Sequence, residues 1–128
     1  MANKSTAVKV LVTDDEEDAL LIFKLKFKKE IRAKTIELYY ANSVDQALDI
    51  LNGPNGSCVE FILSDINMPN RDGFDLLEEV NKNFPGKKLA FISAYNNHEH
   101  KTKARDMGAQ NFFEKPVDFK LLKNFISL

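Results

Sequence analysis

Short apolar runs alternate with helical patterns along this chain, and that order constrains the fold more than any other feature. The runs start near Val8, Thr35, Cys58, Leu89 and Asn111, and the first, third and fourth are apolar almost throughout. Strands of that kind are buried on both faces, which is typical of a parallel sheet covered by helices. The sequence therefore predicts an α/β fold, in which five parallel strands alternate with five helices in a doubly wound sheet.

The segments between these runs have the spacing of amphipathic helices. Leu20, Phe23, Phe27 and Ile31 are three or four residues apart, so they predict a first helix with one apolar face. Four further helices are predicted: from Ser43, where a capping pattern begins; from Asp72; over about His98 to Met107; and over about Asp118 to Ser127.

Length and composition exclude several classes of protein. The 128 residues suit a single domain over residues 1–128. The 18 basic residues nearly balance the 19 acidic ones, so bulk charge gives no reason to expect direct binding to nucleic acid or a membrane. The lone cysteine, Cys58, excludes an internal disulfide and is expected to be a small core residue. Because no segment resembles a membrane span or a secretion signal, we expect a cytoplasmic protein.

The groups best suited to chemistry directly follow the predicted strands. After the first strand come Asp14 and Asp15, after the third Asp65, after the fourth Ser93, and after the fifth Lys115 and Pro116. In doubly wound sheets the functional site lies outside the carboxyl ends of the strands. Each of these residues alone is ordinary in a turn or at the start of a helix. One shared site explains better why four strand ends each supply a reactive group.

Three carboxylates, a hydroxyl and an ammonium group at one edge suit phosphoryl transfer. Neighbouring carboxylates repel one another unless a cation compensates, and oxygen ligands without histidine or cysteine favour Mg²⁺. A carboxylate beside such a metal can attack phosphorus and form an aspartyl-phosphate. Lys115 can then contact the phosphoryl oxygens, and the Ser93 hydroxyl can donate a hydrogen bond to them.

Four segments, in this order, resemble the receiver domain of two-component response regulators. They are Leu-Val-Thr-Asp14-Asp15-Glu, Leu-Ser-Asp65-Ile-Asn67-Met68-Pro69 with Asp72-Gly73, Ile-Ser93-Ala94, and Phe112-Phe-Glu-Lys115-Pro116. The resemblance spans about Val8 to Ile126. It implies a flavodoxin-like fold with the strand order 2-1-3-4-5, and a phosphoprotein that acts as a switch in phosphorelay signal transduction.

The resemblance also implies roles at the reacting centre. Asp65 is the expected phosphoacceptor, and Lys115 the contact to the phosphoryl group. Asp15 would bind Mg²⁺ directly, Asp14 mainly through water, and Asn67 through its backbone carbonyl.

A second set of residues would convert phosphorylation into a conformational change. Ser93, where the family more often has threonine, would be the switch hydroxyl, and Phe112 the ring that turns inward. Family members usually have a cis peptide bond at the position before Pro116. Tyr95, two residues past Ser93, is expected to shield the phosphoryl group from water. The surface that changes would comprise the fourth predicted helix, the fifth strand and the fifth predicted helix.

The resemblance implies protein partners rather than a small substrate. The expected donor is a sensor histidine kinase or a histidine phosphotransfer protein, and the changed surface would control an output domain or protein. The chain is not expected to be an enzyme beyond its own phosphorylation and self-dephosphorylation.

Three other classes of protein are compatible with the fold. A phosphatase of the haloacid dehalogenase type needs a second aspartate two residues after the nucleophile, where this chain has Asn67. A flavodoxin needs a hydroxyl-rich loop after the first strand, where this chain has Asp14 and Asp15. An interaction module that is not phosphorylated would have no need of the complete acidic set.

Overall fold

In the computed structural model, which describes residues 7–94 and 98–127, five parallel strands form one sheet in the order β2-β1-β3-β4-β5. The strands are β1 (Val8–Thr13), β2 (Ile36–Ala41), β3 (Phe61–Ser64), β4 (Lys88–Ser93) and β5 (Asn111–Glu114). The order reverses direction beside β1, which is the doubly wound, flavodoxin-like arrangement. The predicted fold class and strand order are therefore confirmed.

The helices differ from the prediction in number. They are α1 (Glu17–Lys26), α2 (Lys28–Arg32), α3 (Val44–Asn52), α4 (Gly73–Asn83), α5 (His98–Asp106) and α6 (Phe119–Phe125), with a short 3₁₀ turn at Gly56–Cys58. None of the helices in the described ranges is long and apolar enough to cross a bilayer. The prediction of five helices was wrong by one, because the expected first helix is two helices.

The division between α1 and α2 lies at Phe27. This residue leaves the α-helical conformation with φ −103° and ψ 10°. Its N–H still donates to the Phe23 carbonyl at 2.9 Å, and its carbonyl accepts from the Ile31 N–H at 2.8 Å. The Phe27 side chain is completely buried, and its ring lies 6.0 Å from that of Phe119 on α6. The apolar spacing therefore predicted the burial of Phe23 and Phe27 correctly, but Ile31 is exposed, and the spacing gave no signal of the change in direction.

Apolar side chains cover both faces of the sheet, as the continuous strand patterns predicted. On one face, Leu11 and Phe91 belong to a core formed with α3, α4 and α5. On the other, Val10 and Val12 belong to a core formed with α1 and α6. Cys58 was predicted to be buried, but it lies in the 3₁₀ turn and is exposed. The sheet edge that carries the carboxyl ends of the strands is thus held between two packed layers.

We expect Phe27→Ala to lower the free energy of unfolding by about 3–5 kcal/mol, because it removes a buried ring and leaves a cavity. The matched control is Leu25→Ala, since Leu25 lies two residues away on α1 and is 69% exposed. That control should change stability by about 0.5 kcal/mol or less. Urea unfolding followed by far-ultraviolet circular dichroism measures both. Equal effects of the two variants would contradict the packing of Phe27.

Candidate functional site

Three carboxylates meet where β1 and β3 end. Asp14 and Asp15 follow β1, Asp65 follows β3, and oxygens of all three lie within 4.8 Å of one another. Asp14 and Asp65 are only 5% and 8% exposed, whereas Asp15 is exposed. The two strands are direct neighbours, and the Asp65 N–H donates to the Thr13 carbonyl at 2.9 Å. The parallel register therefore brings the two buried carboxylates to the same place.

The ammonium group of Lys115 bridges these buried carboxylates. Its Nζ lies 3.1 Å from Asp14 Oδ2 and 3.3 Å from Asp65 Oδ2. The Lys115 backbone is attached to β4, because its N–H donates to the Ser93 carbonyl at 3.0 Å. Three segments widely separated in sequence thus contribute to one compact charge cluster.

The charges of this cluster alter its acid–base chemistry. Burial raises the pKa of Asp65 above its ordinary value, the Lys115 charge opposes that rise, and the Asp14 charge adds to it. Burial alone would lower the pKa of Lys115, but Asp14 and Asp65 outweigh burial and raise it. Lys115 therefore stays charged at neutral pH. The cluster holds two buried carboxyl groups against one ammonium group.

Backbone N–H groups orient the two buried carboxylates. Asp65 Oδ1 accepts from the Ile66 N–H at 2.7 Å, and Asp14 Oδ1 accepts from the Glu16 N–H at 2.9 Å. In both residues Oδ2 is the oxygen that faces Lys115. The Oδ2 atoms therefore converge on one small volume.

The donor set fits a hard divalent cation. The three clustered carboxylates supply oxygen only, and Mg²⁺ prefers carboxylate oxygens and retained waters to nitrogen or sulfur ligands. One positive charge against two buried carboxylates and an exposed third leaves net negative charge, which a divalent cation would neutralise. Asn67, expected to offer its backbone carbonyl, is exposed two residues after Asp65, and its N–H lies 3.4 Å from Asp65 Oδ1.

The loop after Asp65 is positioned by the start of α4. The Gly73 N–H donates to the Ile66 carbonyl at 2.7 Å. A Cβ at Gly73 would lie 2.5 Å from the Asp65 carbonyl oxygen, closer than real Cβ atoms approach other atoms. Asp72 and Asp75 form a capping box that fixes this helix start. Only glycine therefore permits this approach of α4 to the Asp65 backbone.

Two of these supporting contacts were missed by sequence reasoning. Gly73 was noted only as part of a motif, and nothing in the sequence indicated that its Cα lies against the Asp65 backbone. The Ser64 hydroxyl, buried at the end of β3, donates to the Asp65 carbonyl at 2.7 Å. A serine in an apolar strand was the available signal for that contact.

The residues expected to form the switch lie on the neighbouring strands. Ser93 is completely buried at the end of β4. The Phe112 ring, on β5, is partly buried and lies 6.4 Å from the Phe91 ring. The peptide bond between Lys115 and Pro116 is cis, which confirms that expectation. Tyr95, the expected shield, lies outside the described residues.

Comparison with known proteins identifies the family. The family model described as the response regulator receiver domain matches residues 10–127. The chain belongs to the response regulator receiver family. The receiver fold and the acidic cluster are in agreement with that membership.

Individual relatives have low sequence identity to this chain. The response regulator protein PilR of Pseudomonas aeruginosa is 27% identical over 120 residues, which cover 93% of this chain and 25% of PilR. The sensor histidine kinase RcsC of Salmonella typhimurium is 26% identical over 90 residues, which cover 70% of this chain and 10% of RcsC. The chain thus spans a quarter or less of the length of these curated relatives.

A solved structure, that of the Francisella response regulator 1452 receiver domain, is 27% identical to this chain. It superposes with a TM-score of 0.81 and covers 94% of this chain and 93% of that one. This chain is therefore a response regulator receiver domain of two-component signalling.

We expect Asp65→Asn to raise the free energy of unfolding at pH 7 in metal-free buffer. The folded-state pKa of Asp65 is raised above the ordinary value of 3.8, so folding disfavours its charged form. The neutral amide removes that penalty. The gain should disappear as the pH falls below 3.8, where the carboxyl is protonated in both states.

Urea unfolding at pH 7 and at pH 3.5 measures this difference. Asp49→Asn is the matched control, because Asp49 is an exposed carboxylate on α3. It should leave stability nearly unchanged at both pH values. A loss of stability in Asp65→Asn at pH 7 would mean that Lys115 stabilises the Asp65 charge by more than burial disfavours it.

Proposed function

We propose that this receiver domain accepts a phosphoryl group on Asp65 from a phosphohistidine of a sensor histidine kinase or histidine phosphotransfer protein, with Mg²⁺ bound beside it. The observation that carries the proposal is the position of Asp65 Oδ2, 3.3 Å from Lys115 Nζ and clustered with Asp14 and Asp15. We take residues 1–128 as one domain of this kind.

The proposed transfer is a substitution at phosphorus. A carboxylate oxygen of Asp65 attacks, the new O–P bond forms, and the P–N bond to the donor imidazole breaks. The electron pair of the broken bond returns to the imidazole nitrogen. Because phosphoryl transfer depends on positioning and charge neutralisation, the chain needs only to orient the carboxylate and stabilise the equatorial oxygens. The Ile66 N–H does the first and Lys115 the second.

The metal would be held by Asp14, Asp15, Asp65 and the backbone carbonyl of Asn67. When bound, Mg²⁺ supplies positive charge against the phosphoryl oxygens and the carboxylates. The exposed carboxylate of Asp15 is the most accessible of the three, whereas Asp14 Oδ2 is already paired with Lys115 at 3.1 Å. This difference supports direct binding through Asp15 and weaker dependence on Asp14.

A groove beside the site offers a place for the phosphoryl donor. Its volume is about 680 Å³, and its apolar lining includes Ile22 and Phe23 of α1 and Phe119 of α6. Asp14 and Lys115 also line the groove, and Lys115 pairs with Asp65, so a helix seated there would hold its phosphohistidine near Asp65. We place the donor in this groove.

The output would be read on the surface of α5, β5 and α6. These elements correspond to the fourth helix, the fifth strand and the fifth helix predicted from the sequence. Lys115 connects the site to β5, since it directly follows Glu114. Lys101 of α5 pairs with Glu114, and its Nζ lies 5.9 Å from the centre of the Phe112 ring. A phosphoryl group that draws Lys115 and the Ser93 hydroxyl toward it would change these contacts.

The direct test of the function is phosphorylation by acetyl phosphate. The wild-type chain should gain one phosphoryl group in intact-mass spectra, and only with Mg²⁺ present. Asp65→Asn should gain none, because its amide is not a nucleophile at phosphorus, while Asp49→Asn should be labelled like the wild type. Undiminished labelling of Asp65→Asn would place the phosphoacceptor elsewhere.

Metal binding should depend more on Asp15 than on Asp14. We expect Asp15→Ala to weaken Mg²⁺ binding by at least about tenfold, and Asp14→Ala to weaken it less. A Mg²⁺ titration followed by amide NMR measures both affinities, with Asp18→Ala as a control at an exposed carboxylate on α1. If both site variants bind like the wild type, the metal is not held here.

Lys115→Ala should uncouple the site from the α5, β5 and α6 surface. Beryllofluoride, which mimics the phosphoryl group, should shift the amide resonances of Ser93 and Phe112 in the wild type and shift them less in the variant. Lys120→Ala, at an exposed lysine on α6, should respond like the wild type. Shifts of wild-type size in Lys115→Ala would show that another group transmits the signal.

A further inference from the structure

A basic groove lies at the far end of α1 from the acidic site. We define the basic groove by Lys26, Lys28, Lys29 and Arg32 of α1 and α2 with Lys123 of α6, and Leu25 lies among them. The groove is shallow and has a volume of about 730 Å³. No acidic side chain is among its lining residues.

Charge is strongly segregated along this part of the chain. Residues 14–18 are all acidic, whereas residues 24–34 include six basic residues and one acid, Glu30. That acid is already paired, because Glu30 Oε2 lies 3.0 Å from Lys123 Nζ. Lys28 and Arg32 form no ion pair with any of the residues that the structure describes. The groove therefore presents uncompensated positive charge, although the whole chain carries −1.

The arrangement on α2 is unfavourable for the isolated domain. Lys28 and Arg32 are four residues apart and Lys29 and Arg32 three apart on one short helix. Like charges at these spacings repel each other and destabilise a helix. A ligand with negative charge would relieve this repulsion on binding.

An exposed apolar side chain accompanies the charges. Leu25 is 69% exposed, and Leu21, one turn earlier on α1, is 55% exposed. An apolar centre with a charged rim is the common pattern of protein interfaces. The occupant must therefore offer both an apolar residue and carboxylates.

We propose that the basic groove binds an acidic, amphipathic segment of a partner protein. Its Asp or Glu side chains would pair with the lysines and Arg32, and an apolar side chain would cover Leu25. An extended polyanion fits less well, because the acidic run at residues 14–18 begins only about 15 Å away, one length of α1. Anionic membranes and duplex DNA would meet that run, whereas a short segment stays within the groove.

The groove is spatially separate from Asp65. The acidic run directly follows the carboxyl end of β1, and α1 leads away from it toward the edge where β2 begins. Binding should therefore not require phosphorylation, and Asp65→Asn should bind like the wild type. Failure of this proposal would leave the phosphoacceptor proposal intact, and the reverse also holds.

The experiment uses a fluorescein-labelled helical peptide with Leu at every third or fourth position and Glu elsewhere. Fluorescence anisotropy should give saturable binding that weakens as NaCl increases. Lys28→Glu/Arg32→Glu should weaken binding at least about tenfold. Lys82→Glu/Arg105→Glu, which makes the same charge change at exposed positions on α4 and α5, should leave binding unchanged.

Further probes separate the occupants. A peptide with Lys in place of Glu should not bind, and vesicles of phosphatidylcholine and phosphatidylserine or a duplex DNA should bind more weakly than the acidic peptide. Circular dichroism checks that each variant is folded. Absence of saturable binding, equal losses in both double variants, or tighter binding of vesicles or DNA would overturn the proposal.

Discussion

One ammonium group holds the functional edge of this receiver domain together. Lys115 Nζ lies within 3.3 Å of carboxylate oxygens from both Asp14 and Asp65, which are almost completely buried. Two such carboxylates without a cation would repel each other and bear the full penalty of burial. The lysine offsets only part of this penalty, so the pKa of Asp65 remains above its ordinary value. The cluster thus has more carboxyl groups than cationic groups, as a site for a divalent cation requires.

The fold supplies this arrangement through parallel register. Thr13 is paired with Ser64, so the residues that follow them leave the sheet side by side. Apolar layers pack on both faces of the sheet, and the close approach of Gly73 to the Asp65 carbonyl positions the loop after Asp65. The chemistry therefore resides in a few groups, while most of the chain determines where those groups lie.

Much of the fold and of the candidate site could be predicted from the sequence, for identifiable reasons. The convergence of Asp14, Asp65 and Lys115 followed from strand order, because the carboxyl ends of parallel strands share an edge. The break at Phe27 could not be predicted, since the apolar spacing continues across it. The exposure of Cys58 also could not, because a 3₁₀ turn replaces the expected start of β3. The contact of Gly73 with Asp65 depends on how α4 meets the loop, which no local pattern encodes.

In this site, Lys115 offsets the buried charge of Asp65. The most direct measurement is the pKa of the Asp65 carboxyl group in metal-free buffer, in the wild type and in Lys115→Met. The ¹³C chemical shift of its carboxyl carbon, followed by NMR as the pH is changed, gives this pKa. The wild-type pKa should lie above the ordinary 3.8, and loss of the lysine should raise it further. An unchanged or lowered pKa in Lys115→Met would contradict the account.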